Sequence, residues 1–156
     1  MQVPESMRQD PFMVVGMGRS GTSYVGSILA ANGVDMGARL KPADAHNRNG
    51  YFEDLGHSRC RSGGSSDGMT LATRGSFPVE TTVDEDGELA AYIERRRFAG
   101  RWGVKAPGIL LFWPLWARLL PPETVVLLPF RHPFAVLDSF LRWGMEVEAI
   151  LGLWLS

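Results

Sequence analysis

Cysteine is almost missing from this chain. Cys60 is the single one in 156 residues, which excludes a disulfide framework and a cysteine-rich metal site and makes Cys60 an incidental thiol. Lysine is scarce too: of 16 basic residues only Lys41 and Lys105 are lysines. No excess of one charge sign exists. Sixteen basic against 17 acidic residues leave a net charge of −1, so no global basic field draws nucleic acid or an anionic membrane. An anion must therefore be held by a local site. The most apolar run, residues 109–120, is too short to span a bilayer and contains Pro114 and Arg118. The opening MQVPESMRQDP has no apolar signal core. These absences give the expectation of a soluble, cytoplasmic protein with no membrane span, no metal centre and no nucleic-acid partner.

Apolar residues make up 45% of the chain, enough for one packed domain over residues 1–156. The run PFMVVG (11–16) reads as a buried strand, followed by a glycine turn and a helix from about Thr22 to Ala31. Asn32 and Gly33 supply its stop. Residues 34–59 are loop-rich, and 60–87, dominated by Gly, Ser, Thr and Asp, read as a long exposed loop. Residues 88–98 have a helical pattern, with Leu89, Tyr92 and Ile93 on one face and the structural triplet Arg95, Arg96, Arg97 at the end. Trp102 to Val104 reads as a short strand, Lys105 to Gly108 as a turn, and 109–120 as a buried helix ended by Pro121 and Pro122. Thr124 to Leu128 is β-branched and uncharged, as expected of a parallel strand covered on both faces. Pro133 starts a helix through about Trp143, and 147–155 is an apolar, helical last stretch. Strands alternating with helices predict an α/β fold with a three-layer parallel sheet.

The segment VVGMGRSGTS lies between a strand and a helix. Gly16, Gly18 and Gly21 let the backbone curl so that its N–H groups point inward at the positive end of the helix, a setting for phosphate. Ser20, Thr22 and Ser23 add hydroxyls. Against the nucleoside-triphosphate pattern G-x-x-x-x-G-K-[ST], Gly16, Gly21 and Ser23 fit, but Thr22 stands where the Lys belongs. The cation is instead Arg19, inside the loop, facing the end of a bound 5′-phosphate group.

A second anchor is Arg131-His-Pro-Phe-Ala-Val-Leu-Asp-Ser139. Arg131 falls at the carboxyl end of a strand, where open parallel sheets bind ligands. On the following helix Phe134, Val136, Leu137, Phe140 and Leu141 form one apolar face, with Ser139 opposite, near Ala135 and Arg142. A guanidinium fork from Arg131 and the Ser139 hydroxyl then grip one phosphate. His132 reads as structural.

Four segments in order, GMGRSGTS, GYFED (50–54), WGVKAP and RHPFAVLDS, together resemble the sulfotransferase family over about residues 11–143. The resemblance implies a P-loop-like nucleotide-binding topology and the co-substrate 3′-phosphoadenosine 5′-phosphosulfate (PAPS). Gly18, Arg19, Ser20, Gly21, Thr22 and Ser23 would hold its 5′ end, and Arg131 and Ser139 its 3′-phosphate. It implies transfer of a sulfuryl group to a hydroxyl or amine on a small molecule or glycan, without metal. Arg19 and Lys105 are the implied cations near the bridging oxygen, although Ala106 stands where the family has Asp. Glu53 is the implied base, with Asp54 and His46 as alternatives. The chain ends soon after the second phosphate motif, so the C-terminal part of the family fold is expected to be missing. That leaves a truncated, catalytically impaired nucleotide-binding remnant as the alternative reading, and 147–155 as a candidate surface for self-association.

Overall fold

The computed structural model describes residues 11–56, 87–97, 100–148 and 150. Cys60, the stretch 60–86, the N-terminal ten residues and 151–155 of the apolar last stretch lie outside the described residues.

The described chain is α/β. In order it forms β1 (Phe12–Val14), α1 (Thr22–Ala31), α2 (Glu88–Arg97), β2 (Gly103–Lys105), a 3-10 helix (Pro107–Phe112), α3 (Trp113–Leu119), β3 (Val125–Leu127) and α4 (Pro133–Leu141). The three strands form one parallel sheet in the order β2-β1-β3. Phe12 pairs with Gly103 on one side and Val125 on the other. Beyond β2, Asp35 makes a parallel bridge to Trp102.

Alternation along β1 divides the core. Met13 and Val15 face one way, into a cluster with Leu89, Tyr92 and Ile93 of α2, Trp102, Val104 and Ile109, and Trp116 of α3. Val14 faces the other way with Leu29, Val34 and Met36, and Phe12, Val25 and Leu127 pack against them. Helices therefore cover β1 on both faces, and each fully buried aliphatic side chain contributes about 1.5–3 kcal/mol. The face read from the sequence for α2 is the one buried. Arg96 of the triplet is buried with it, 2.8 Å from Asp35 Oδ2, and also donates to the Asp35 carbonyl. It ties α2 to the turn after α1.

Three expectations need correction. First, 109–120 is not one helix. Pro107 opens a 3-10 turn and Pro114 falls in the first turn of α3, where its missing N–H is harmless. Second, among the described residues β3 is an edge strand. Val125 and Val126 are 40% and 44% exposed and Leu128 64%, so its continuous apolar run is not covered on both faces. Third, Ser139 does not lie opposite the buried face of α4. It is buried together with Val136 and Phe140, while Phe134 and Leu141 are exposed. Among the described residues no helix is long and apolar enough to cross a membrane.

Candidate functional site

The glycine turn grows directly out of the sheet. Val15 N–H donates to the Leu127 carbonyl at 3.0 Å, so β1 is held to β3 up to the turn. Ser20 then closes the loop on itself: its backbone N–H and its hydroxyl both donate to the Met17 carbonyl, at 3.2 and 2.6 Å. Gly21, at φ 102°, caps α1, and Arg19 sits at φ 65°, a left-handed conformation unusual outside glycine. The N–H groups of the first turn of α1 have no acceptor within the helix, and no acidic residue lies there. Gly18 lies close under α4: a Cβ there would come within 3.1 Å of the Phe140 ring, which would have to give slightly.

That contact brings α4 onto the loop, and the next joins residues 120 positions apart in the sequence. Arg19 Nε donates to Ser139 Oγ at 2.9 Å. Arg131 Nη1 donates to the Arg19 carbonyl at 3.3 Å. The Arg19 guanidinium also lies over the Trp143 ring, 5.4 Å from its centre. Neither Arg19 nor Arg131 pairs with a carboxylate among the described residues. A guanidinium with no carboxylate partner among the described residues raises the local positive potential, which an anion lowers. A cleft of about 250 Å³ opens beside Arg19, lined by Arg19, Ala45, His46, Ser139, Arg142 and Trp143; Arg131 is not among its lining residues.

Lys105 is the largest correction at the site. It is not in a turn but ends β2, paired in register with Val14 and only 1% exposed. Its Nζ lies 2.6 Å from Glu53 Oε1 and donates to Ser23 Oγ at 3.3 Å. Ser23, in the first turn of α1, also accepts from Asn47 Nδ2 at 3.1 Å and donates to the Tyr51 carbonyl at 3.5 Å. The segment 47–53 is thus strapped across the start of α1. Thr22 is buried beside it.

The two alternative bases sit very differently. Asp54 is buried and fully engaged: Oδ1 accepts from Gly56 N–H and Arg39 N–H, and Oδ2 from the Tyr92 hydroxyl. His46 is exposed on the cleft wall, its ring 5.3 Å from that of Trp143. Asn47, Arg142 and Trp143 were not singled out as site residues in the sequence. Arg142 and Trp143 follow Ser139 by about one helical turn, which was the available signal. Asn47 had none beyond its place between His46 and GYFED.

Two tyrosines brace this region. Burial, reinforced by a hydrogen bond to Asp44, pushes the Tyr51 phenol up to about 12, and the same bond holds Asp44 below the usual carboxylate range. Burial raises Tyr92 further still, with Asp54 adding to it. A phenol whose folded value exceeds its unfolded 10.0 stabilises the fold fully below pH 10 and loses that contribution as pH rises through the folded value. Ultraviolet titration of tyrosinate is expected to show Tyr51 and Tyr92 still neutral above pH 10, the fold losing their contribution as pH rises further. Three tyrosines ionising together near 10 in a folded chain would contradict this packing.

No family model, curated protein or solved structure matches this chain.

Proposed function

We propose that this chain, on a P-loop-like α/β fold, binds PAPS and transfers its sulfuryl group to a hydroxyl or amine acceptor, a small molecule or glycan. A cytoplasmic location belongs to the same reading. The observation that supports it most is the approach of Arg131 and Ser139 to Arg19 of the glycine loop. A nucleotide with phosphates at both ends of its ribose needs two such donor groups close together: Arg19 and Ser139 line the cleft, and Arg131 reaches the loop through the Arg19 carbonyl.

The residues fit that ligand chemically. Backbone N–H groups of Gly18, Arg19, Gly21, Thr22 and Ser23 and the positive end of α1 suit the 5′ end, with Arg19 as its guanidinium. Ser20, whose hydroxyl closes the loop, shapes this cradle from within. Arg131 and Ser139 suit the 3′-phosphate. In the transfer the acceptor oxygen or nitrogen bonds to sulfur, the bond from sulfur to the phosphate oxygen breaks, and the acceptor's proton leaves. Sulfuryl transfer, like phosphoryl transfer, needs positioning and charge stabilisation above all. Lys105, beside Ser23 at the start of α1, supplies a cation for the departing oxygen. Glu53 takes the proton. The Lys105–Glu53 pair must part for both to act, so the two roles are linked. With Asp54 engaged elsewhere, His46 on the cleft wall is the remaining alternative base.

Calorimetry with adenosine 3′,5′-bisphosphate (PAP), ADP and ATP tests the binding half. PAP is expected to bind best, and Arg19→Ala and Arg131→Ala each to weaken it about 10- to 100-fold, the range for a hydrogen bond to a charged group. ATP binding as tightly as PAP overturns the reading. A nucleotide-binding remnant without turnover is the second reading, favoured by the short Lys105–Glu53 contact that occupies the carboxylate. Release of PAP from PAPS with hydroxyl and amine acceptors separates the two.

A further inference from the structure

The site contains a third guanidinium. Arg142 follows Ser139 by three positions at the end of α4, on the same side of the helix, and both residues line the cleft. Its partner is Asp138, with Nη1 2.7 Å from Oδ2. The two side chains are 67% and 59% exposed, and a pair open to water to that extent is weakly held. Asp138 is not among the residues lining the cleft, whereas Arg19, with no carboxylate partner, is. Arg142 therefore stands between a single exposed carboxylate and a wall already rich in positive charge.

A phosphate seated on Ser139 changes that balance. It carries up to two negative charges and three acceptor oxygens, against one charge on Asp138. The 5′ end of the same ligand neutralises Arg19, which removes the repulsion that the cleft wall exerts on a second guanidinium. The side chain of Arg142 is long enough to turn from the neighbouring position to Ser139, one helical turn back on the same face.

The geometry points to Arg142 as a third cation for the 3′-phosphate of the bound nucleotide, exchanging Asp138 for the ligand on binding. This rests on the nucleotide reading given above and deepens it. Asp138 becomes a competitor for the ligand's cation. The Arg142–Asp138 switch then sets how strongly the site prefers a 3′-phosphorylated nucleotide over one with a free 3′-hydroxyl.

The test compares PAP with adenosine 5′-phosphate, which differs only by the 3′-phosphate, by calorimetry on the whole chain. The wild type is expected to bind PAP more tightly. Arg142→Ala is expected to weaken PAP about tenfold and leave adenosine 5′-phosphate unchanged. Asp138→Asn, which frees Arg142 with little change of shape, is expected to strengthen PAP a few-fold, again without effect on adenosine 5′-phosphate. Arg142→Lys should recover part of the loss, since the charge remains but the fork does not. Both positions are exposed, so unchanged thermal unfolding is expected. PAP bound equally by wild type and Arg142→Ala overturns this proposal and leaves the site reading standing. Equal weakening of both nucleotides by Arg142→Ala makes the residue a structural support and also overturns it. A wild type that does not distinguish the two nucleotides overturns the site reading, and this proposal with it.

Discussion

Lys105→Ala is expected to cost about 3–5 kcal/mol of stability, read as a fall in the urea midpoint at unchanged slope. Lys105 is 1% exposed and Glu53 8%, and their charged ends lie 2.6 Å apart. Removing the ammonium leaves a carboxylate out of water beside a cavity the length of a lysine stem. Glu53→Ala should cost a similar amount for the mirrored reason. Lys105→Met combined with Glu53→Leu should recover most of the loss, because no ion is then desolvated and volume is nearly kept. The double variant also separates fold from function. It is expected to unfold near the wild-type midpoint, yet to release no PAP from PAPS. An unchanged midpoint in Lys105→Ala would mean that the pair is not buried, and the linked roles of Lys105 and Glu53 would lose their basis.

The same pair shows where sequence reading stops. The bounds of α1 were legible because local chemistry sets both ends: Gly21 before Thr22, and Asn32 with Gly33 after Ala31. The apolar face of α2 was legible by period. Lys105 was misread because a charged residue between Trp102-Gly-Val104 and Ala-Pro-Gly108 looks like the start of a turn. Its burial depends on Glu53, 52 positions earlier in the chain, and no local pattern encodes that distance. The glycine turn and the Arg131–Ser139 segment were legible as donor types, but their meeting goes with the Phe140 ring resting on Gly18. The same contact rotates Ser139 inward, against the apolar count along α4, which Phe134 and Leu141 dominate without being buried. The exposure of β3 was illegible for a further reason: an uncharged β-branched run reads alike at the centre and the edge of a sheet.

Gly37→Ala is expected to destabilise by about 3–5 kcal/mol, the sum of a strained left-handed position and forced overpacking. Gly37 has φ 132°, and a Cβ there would come within 2.5 Å of Asp54 Cγ and Oδ2. Asp54 cannot simply swing aside. Its carboxylate accepts from Gly56, Arg39 and Tyr92, and its backbone bridges to Leu40. Displacing it loosens the neighbouring Glu53, whose carbonyl holds Lys41 N–H at 2.7 Å, and thereby the ion pair at the site. Two readouts check this. The urea midpoint should fall. The most retarded tyrosine in the alkaline titration should ionise earlier, since Asp54 and burial both hold the Tyr92 phenol neutral. Asp54→Gly in the Gly37→Ala background removes the whole clashing side chain, its Cβ included, and should recover the packing part of the loss, but not the backbone part. If Gly37→Ala matched the wild type in both measurements, the turn at 37 would not abut Asp54. The strap from Asp54 through Glu53 to Lys105 would then lack its outer support.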